Sequence, residues 1–597
     1  EGELPYAPVL GALRSLGSQV DDAELQAVVA SGREELAELI PDGSRTGDRV
    51  ADPTVGARSQ LRLFERLTAL LTSAARVRPL VVVIEDFHWA DRSTRDFLSF
   101  LVRAMRREPI SLVISYRSDE LQRRHPLRPF VLELERGDGA SRVELGPFTY
   151  AELREQVTGI LEQPPPPSLV GRLLERSEGN PFFAEELLAS SPGATEPLAS
   201  SLRDILLARV EAQSSAVRDV LRIAAVAGRT VDHALLAAVA DLSEDDLNAA
   251  LRDAVEAYLL VSESSIAGYS FRHALVREAI YSDLLAGERR SLHLRLARAI
   301  GEQPGFVAAE SAVAAELAHH WYAAGELAAA LPASVAAGVA AEGLYASSEA
   351  WLHYERALEI WDAVDPAPGE LRFERLEVLR RAADAALRIG EEDRAIALAQ
   401  EVIARSDERA EPVQAALAHE RLGRYLWMGG HDQDALPAYR RAVELLPEAP
   451  PSQERALVLA AEGQVLMLCN RPEESSARCA EALGLARTVG AKAVEAHVLN
   501  TMCGNLSTVG DFDRAVTVAR QALVIARRLG LVEEMGRSYT NGSDALDEAG
   551  RIDESISMAR QGIASAREVG AERQWGDSLR GELAGRLLHV GRWTEAE

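Results

Sequence analysis

The sequence predicts a multidomain, mostly α-helical protein that begins with part of a parallel α/β sheet and ends in an α-helical solenoid. Three observations predict this fold class. An apolar, β-favouring run at 80–84 ends in two carboxylates. Three helical segments and a hairpin pattern follow between 198 and 301. From about residue 370, residues that close helices recur every 40 positions, which indicates a helical hairpin per repeat.

The chain is long enough for several domains. At roughly 100–200 residues per domain, 597 residues predict three to five of them. We expect an α/β domain over 1–190, a helical module with a hairpin over 198–301, a helical linker with atypical repeats over 302–369, and the regular repeats over 370–597. The last repeat is expected to be cut before its second helix forms.

Composition narrows the function classes. A net charge of −27 disfavours direct binding to nucleic acid or to an anionic membrane surface. Three cysteines cannot form a disulfide framework in a chain of this length, which fits a reducing compartment. Because no apolar run approaches the roughly 20 residues of a membrane span, we expect a cytoplasmic protein without a membrane partner.

The repeat half has two interleaved series of helix-closing residues, each with a period of 40. The first series is Gly390, Gly430, Asn470, Gly510 and Gly550, with Gly591 one residue late, and the second is Gly490, Gly530 and Gly570. Small residues at Gly423, Ala435 and Ala442, with Tyr439 between them and Pro447 after them, resemble the tetratricopeptide repeat consensus. We expect Cys479 and Cys503 to occupy packing positions of this pattern.

The clearest chemical signal lies at the end of the first predicted strand. We expect 80–84 to be a fully buried parallel strand that is followed by Glu85 and Asp86. A second strand is expected at 112–117, ending in Arg117, and a third at 142–145. Ligands of open α/β sheets bind at the carboxyl edge of the strands. Paired acids at this edge suit Mg²⁺ coordination and polarisation of a water molecule.

Four sequence segments carry a resemblance to a known family. They are IEDFHWAD at 84–91, SYRSDEL at 115–121, Leu145-Gly146-Pro147, and EGNPFFAEELL at 178–188. Together they resemble the STAND branch of P-loop ATPases, the signal-transducing ATPases with numerous domains. Within that branch they are most similar to the large ATP-binding LuxR-type regulators of actinobacteria.

The resemblance implies a role for each candidate residue. Glu85 falls at the Mg²⁺-ligand position and Asp86 at the water-polarising position of the catalytic acid pair, although the family more often has Asp first. Arg117 falls at the position that senses the γ-phosphate. Gly179-Asn180-Pro181 correspond to the loop against the nucleotide base, and His273 to a histidine that touches phosphate in the ADP-bound form. The implied cofactors are ATP or ADP with Mg²⁺, and 198–301 would be a winged helix.

The residues alone leave a second interpretation open. Arg117 could pair with a surface acid, and His273 could cap the helix that follows the hairpin. Asn180-Pro181 could be a helix cap with proline in the first turn. Asp91 is interpreted as the N-cap of a helix over 92–106, and the basic stretch 289–295 as a solvated helix face.

The phosphate-binding motif GxxxxGK[ST] does not occur in the sequence. The sole lysine of the 597 residues is Lys492, inside a repeat. Two explanations remain: the ATPase is degenerate, or its P-loop lies upstream of Glu1 in a longer gene product, which we favour because the acid pair is retained. The resemblance also implies a C-terminal helix-turn-helix, which the sequence lacks.

The leading hypothesis is therefore the ATP-dependent sensing core of a LuxR-type transcriptional regulator. ATP and an inducer or protein on the repeats would promote self-association, DNA would be bound through a domain outside this chain, and hydrolysis would be slow and regulatory. Alternatives are a STAND sensor with a cyclase or kinase output, and a tetratricopeptide scaffold with an inactive ATPase. By itself the segment 1–597 is expected to be inactive.

Overall fold

A computed structural model describes residues 5–18, 53–105, 108–117, 127–136, 139–190, 202–263, 268–307, 310–364, 366 and 373–596. It divides into two compact units. The repeat unit comprises Pro5–Ser118 and Gly338–Glu597, and the middle unit comprises Glu1–Leu4 and Asp119–Ala337. The expected α/β domain over 1–190 is thus shared between the units. Residues 1–4 of that domain and 118–121 of the SYRSDEL segment lie outside the described residues.

The first part of the repeat unit contains the parallel sheet. Its described elements are α1 (Ala7–Ser18), α2 (Pro53–Val77), β1 (Leu80–Ile84), α3 (Arg92–Ala104) and β2 (Ile110–Ile114). β1 and β2 pair in parallel, with Leu80 opposite Ile110 and Ile84 opposite Ile114. The predicted β-α-β alternation is confirmed for these two strands, although β2 begins two residues and ends three residues earlier than expected.

Two strand predictions are wrong. β1 is not fully buried: in this two-stranded sheet Val81 and Val83 are 69 % and 55 % exposed, whereas Leu80 and Ile84 are buried. Residues 142–145 form no strand, and Val143 and Leu145 are 79 % and 89 % exposed. A strand needs a hydrogen-bonding neighbour, and this segment pairs with none of the described strands.

The middle unit is helical with a small antiparallel sheet. Its elements are α4 (Arg128–Arg136), α5 (Tyr150–Leu161), α6 (Pro167–Ser177), α7 (Pro181–Ser190), α8 (Leu202–Glu211), α9 (Ser215–Ala227), β3 (Thr230–Asp232), α10 (His233–Val239), α11 (Glu244–Glu256), β4 (Leu260–Glu263), β5 (Gly268–Phe271), α12 (Ala274–Asp283), α13 (Ala286–Glu302) and α14 (Glu310–Ala323). The strand order is β3-β5-β4. Leu221, Leu236, Leu251 and Leu259 are buried in the core that joins this sheet to α9–α11.

The chain continues through α15 (Leu327–Gly343) into the array of helical hairpins. The helices are α16 (Ser347–Val364), α17 (Arg375–Arg388), α18 (Glu392–Arg405), α19 (Pro412–Met428), α20 (Asp432–Leu445), α21 (Gln453–Leu468), α22 (Pro472–Val489), α23 (Lys492–Thr508), α24 (Phe512–Leu529), α25 (Val532–Glu548), α26 (Ile552–Val569), a π-helical turn (Glu572–Gly576), α27 (Asp577–His589) and α28 (Trp593–Ala596). The predicted solenoid, and with it the mostly helical multidomain fold class, is confirmed.

The predicted repeat columns have a direct structural basis. All nine predicted helix-closing residues have positive φ, between 56° and 82°. A Cβ on Gly423 would lie 2.8 Å from the Tyr439 ring, and one on Gly463 would lie 2.9 Å from Cys479 Sγ. At Gly423 and Gly463 the paired helices therefore approach too closely for a side chain. Burial raises the pKa of Cys479 to about 11 and that of Cys503 to about 12, so both thiols stay protonated in the core.

Candidate functional site

The acid pair follows β1 at the carboxyl edge of the sheet, where it was predicted. Glu85 is exposed and Asp86 is half-buried, and Asp86 has left-handed backbone geometry with φ of 51°. Ser115, directly after β2, fixes this turn: its Oγ accepts a hydrogen bond from the Asp86 N–H at 3.1 Å, and its carbonyl accepts one from Phe87 N–H at 2.9 Å. The sequence analysis missed this role of Ser115.

The carboxylates of Glu85 and Asp86 are available to a cation. Across the part of the chain that the structure describes, neither accepts a hydrogen bond or pairs with a basic side chain. Hard carboxylate oxygens are the ligands that Mg²⁺ prefers, so this donor pair fits that ion. The sequence contains no GxxxxGK[ST] motif, and its one lysine, Lys492, lies on α23 and pairs with Glu495 at 2.7 Å.

Arg117 lies in the same unit as the acid pair. It is half-buried and follows Ser115 by two residues, beyond the carboxyl end of β2. The structure thus brings the predicted Mg²⁺ ligand, the predicted catalytic acid and the predicted sensor arginine to neighbouring strand ends. The sensing role of Arg117 stays a prediction.

A short turn connects the acid pair to α3. Phe87–Trp89 form a 3-10 turn, and Asp91 then caps α3 by accepting a hydrogen bond from the Thr94 N–H at 2.7 Å. This confirms the predicted N-cap, although α3 ends at Ala104 rather than at 106. Because the turn is so short, the start of α3 and the acid pair are mechanically linked.

The start of α3 is bound to the repeat array. Glu349, on α16, accepts hydrogen bonds from the Ser93 N–H at 3.1 Å and from the Ser93 hydroxyl. Ser348 donates to Asp96 Oδ2 at 3.4 Å. Burial raises the pKa of Glu349 and of Asp96 above the ordinary carboxyl range. No sequence pattern predicts this contact, because its partners are 256 positions apart.

The same N-terminal segment also contacts the far part of the array. On α2, Glu65 accepts hydrogen bonds from the N–H groups of Glu572 and Arg573, at 3.1 and 2.8 Å. Arg66 donates to the Glu568 carbonyl at 3.0 Å. Burial raises the pKa of Glu65 to about 7, although both N–H groups favour the charged form. The α2–α3 segment therefore bridges two distant parts of the solenoid.

The remaining predicted site residues lie in the middle unit. Gly179 has φ of 77°, and a Cβ there would lie 2.6 Å from the Phe148 carbonyl oxygen, so the turn requires glycine. Asn180 Oδ1 accepts a hydrogen bond from the Phe183 N–H at 3.0 Å, and Pro181 begins α7. The helix-cap interpretation of Asn180-Pro181 is therefore confirmed, while their contact with a nucleotide base stays a prediction.

The structure brings His273 to the same segment of the middle unit. It directly precedes α12, and its ring packs on the Phe182 ring with centroids 4.1 Å apart. It forms no side-chain cap hydrogen bond. Burial lowers the pKa of His273, and Glu186, which pairs with Arg209, partly opposes this shift. A phosphate-sensing role of His273 stays a prediction.

Comparison with protein families defines the class of the first segment. Residues 1–114 match the family model described as an AAA ATPase domain. The matched segment contains β1, the acid pair, α3 and β2. AAA ATPase domains bind nucleotide, so this chain combines a segment similar to a nucleotide-binding domain with tetratricopeptide-like helical repeats.

One curated protein aligns with about half of this chain. Over 313 residues the chain is 30% identical to an uncharacterized protein of Rhizobium meliloti (strain 1021). That alignment covers 49% of this chain and only 29% of the relative, so the chain spans less than a third of the length of the curated protein it matches.

Two solved structures are among those that the chain matches at low similarity. One is a STAND protein with a tetratricopeptide repeat sensor from Pyrococcus horikoshii, at 14% identity and a TM-score of 0.36, covering 96% of this chain and 86% of that one. The other is aspartyl phosphate phosphatase F from Bacillus subtilis, at 11% identity and a TM-score of 0.37, covering 76% of this chain and 94% of that one. At these TM-scores, neither defines the function of this chain.

Proposed function

We propose that this chain is the sensing core of a nucleotide-regulated STAND-type signalling ATPase, and that its output is transcriptional, as in LuxR-type regulators. The observation that carries the proposal is the packing of the acid-pair segment on the repeat array through Ser93 and Glu349. A ligand that shifts the array can move the start of α3, and through the short Phe87–Trp89 turn it can move Asp86. This arrangement suits regulation better than metabolic turnover.

Each candidate residue has a role in this proposal. Bound Mg²⁺ would neutralise phosphate charge, and Glu85 would hold it. Asp86 would orient and polarise the attacking water, with its backbone fixed by Ser115. Arg117 would respond to phosphate charge at the neighbouring strand end. In the middle unit, Gly179, Asn180 and Pro181 would face the nucleotide base, and His273 would contact phosphate.

The last part of the proposal concerns the role of the middle unit. Its helices α9–α11 and the sheet β3-β5-β4 have the element order of a winged helix, with β4 and β5 as the wing hairpin. With a net charge of −27 on the whole chain, we assign this module a regulatory role rather than DNA binding. DNA would then be bound by another part of the gene product, and the ATP-bound form would self-associate.

The test is Mg²⁺-ATP binding by the protein that the whole gene encodes, measured by calorimetry. We expect stoichiometric binding that requires Mg²⁺, and a clear loss of that Mg²⁺ dependence in Glu85→Gln. The matched control is Glu548→Gln, which changes an exposed carboxylate on α25. Residues 1–597 alone are expected to bind only weakly, because they lack a phosphate cradle.

The outcomes also separate the alternatives. Absence of Mg²⁺-ATP binding by the whole protein would contradict the proposal and leave a scaffold with an inactive ATPase. ATP-dependent binding to promoter DNA would support the transcriptional output. Nucleotide binding coupled to cyclase or kinase activity would retain the sensing core and overturn the LuxR-type assignment.

A further inference from the structure

Three histidines of the middle unit form a cluster that the proposed nucleotide site does not use. His293 lies on α13, and His319 and His320 are adjacent on α14. Each offers a ring nitrogen, and these three atoms lie within 4.8 Å of one another. We propose that these histidines bind a divalent transition-metal ion, with Zn²⁺ as the best match.

The spacing of two of the nitrogens already suits a shared ion. His293 Nδ1 and His320 Nδ1 are 2.8 Å apart. Two nitrogens that each bind one ion at about 2.0–2.1 Å lie about 2.9 Å apart at a right angle and about 3.4 Å apart in a tetrahedron. A shift of a few tenths of an ångström therefore opens the pair to an ion, and His319 supplies a third imidazole.

The opposite ring nitrogens of His293 and His320 each have an oxygen atom nearby, and for His293 it is at hydrogen-bond distance. His293 Nε2 lies 3.1 Å from the Tyr281 hydroxyl, and His320 Nε2 lies 3.7 Å from Glu316 Oε2. When Nδ1 binds a metal, Nε2 carries the proton and donates it to such a neighbour. Tyr281 is thus in place to accept this proton from His293, and Glu316 would have to move a few tenths of an ångström closer to accept it from His320.

The burial of the histidines and the positive charge near them have opposite effects on metal binding. His293 and His320 are each 1 % exposed, so an ion bound between them would be shielded from water. Arg277 and Arg289 add positive potential around His293, which opposes a cation. The Glu316 carboxylate offsets part of this charge.

The proton balance of binding is simple. Without metal, the 2.8 Å contact requires one Nδ1–H that donates to the other Nδ1. If His293 is the donor, its Nε2 accepts from Tyr281, and metal binding moves this proton from Nδ1 to Nε2. The imidazole stays neutral, and the Tyr281 hydroxyl changes from donor to acceptor. The contact between the two rings is thereby replaced by two bonds to the ion.

A bound ion would join α14 to the core of the middle unit. His293 is on the same helix as Leu296 and Ile300, which are buried in that core. The ion would therefore fix the first helix after the module that we interpret as a winged helix. The basic stretch 289–295, which was expected to be a solvated helix face, is in part a buried surface, and that expectation is wrong for His293.

The test is Zn²⁺ binding by the full chain after removal of metal with a chelator, measured by competition with a chromophoric indicator. We expect one tight site per chain. His319→Gln, at the half-buried ligand, is expected to weaken it at least about 100-fold, and Glu316→Gln about 10–100-fold. Co²⁺ should give visible absorption bands that His319→Gln removes.

The control is His353→Gln, which changes a half-buried histidine on α16 outside the cluster. It should leave Zn²⁺ affinity unchanged. The proposal is overturned if the wild-type protein and His319→Gln bind Zn²⁺ equally, or if His353→Gln weakens binding as much. If His319→Gln lowers the melting temperature of the metal-free protein, Glu316→Gln takes its place in the test. The proposal is then overturned if Glu316→Gln and the wild-type protein bind Zn²⁺ equally.

Discussion

Glu349 on α16 accepts two hydrogen bonds from Ser93, one from its N–H and one from its hydroxyl, at the first turn of the helix that follows the acid pair. The two residues are 256 positions apart, and the carboxylate is buried. This contact connects the part of the chain that matches an AAA ATPase domain to the tetratricopeptide-like repeats.

The first prediction concerns the stability of this contact. Glu349→Ala leaves two donors of Ser93 without an acceptor, which should cost about 1–3 kcal/mol. Glu349→Gln keeps an acceptor for the N–H and removes a buried charge, so it should stay within about 1 kcal/mol of wild type. Thermal unfolding of the two variants checks the difference. Equal destabilisation by both would show that the charge, rather than the hydrogen bonds, holds the contact.

The second prediction concerns pH. Burial raises the pKa of Glu65 to about 7 in the folded protein, above the ordinary value of 4.5. The folded state therefore holds the proton more tightly than the unfolded state. The stabilisation that this tighter proton binding gives to the folded state is fully present below about pH 4.5 and is lost as pH rises through about 7. We expect the repeat unit to melt at a lower temperature at pH 8 than at pH 5.5.

The pH effect has a specific control. Glu65→Gln cannot ionise, so its melting temperature should fall less than that of wild type between pH 5.5 and 8.5. Glu548→Gln should follow the wild-type profile. Parallel profiles for wild type and Glu65→Gln would remove Glu65 as the source of the dependence.

The third prediction concerns the close approach within each repeat. Gly423→Ala would place a Cβ 2.8 Å from the Tyr439 ring and should destabilise the repeat unit by about 1–3 kcal/mol. Gly484→Ala, on the exposed face of α22, has no neighbour within 4 Å and should stabilise it by up to about 1 kcal/mol. Guanidinium unfolding of both variants measures the difference. If Gly423→Ala left the free energy of unfolding unchanged, the two helices would be able to separate without loss of stability.

The sequence patterns predicted the features that depend on interactions between residues close together in the chain. The 40-residue spacing of helix-closing residues, the acid pair after β1 and the Asp91 cap each depend on a few neighbouring residues, and the structure contains them. The exposed face of β1 and the missing strand at 142–145 depend instead on which distant segments cover or pair with them. A sequence pattern marks a residue as apolar, but it does not determine what packs on it.

The same distinction applies to the candidate site. Glu85 and Asp86 were predictable because the strand and its carboxylates are adjacent in sequence. Ser115, Glu349 and the histidine cluster were missed because each acts on a residue that lies far away or on another helix. His319-His320 is a visible pair in the sequence, but its partner His293 lies on α13 and is recognised only after the helices pack.

The most direct measurement of the central claim is Mg²⁺-dependent ATP hydrolysis by the protein that the whole gene encodes, compared with Asp86→Asn. General-base and water-positioning groups contribute about 10²–10⁴-fold to such rates. We therefore predict that Asp86→Asn lowers kcat at least about 100-fold and leaves the Kd for Mg²⁺-ATP within about 3-fold. Unchanged turnover in Asp86→Asn would contradict the account.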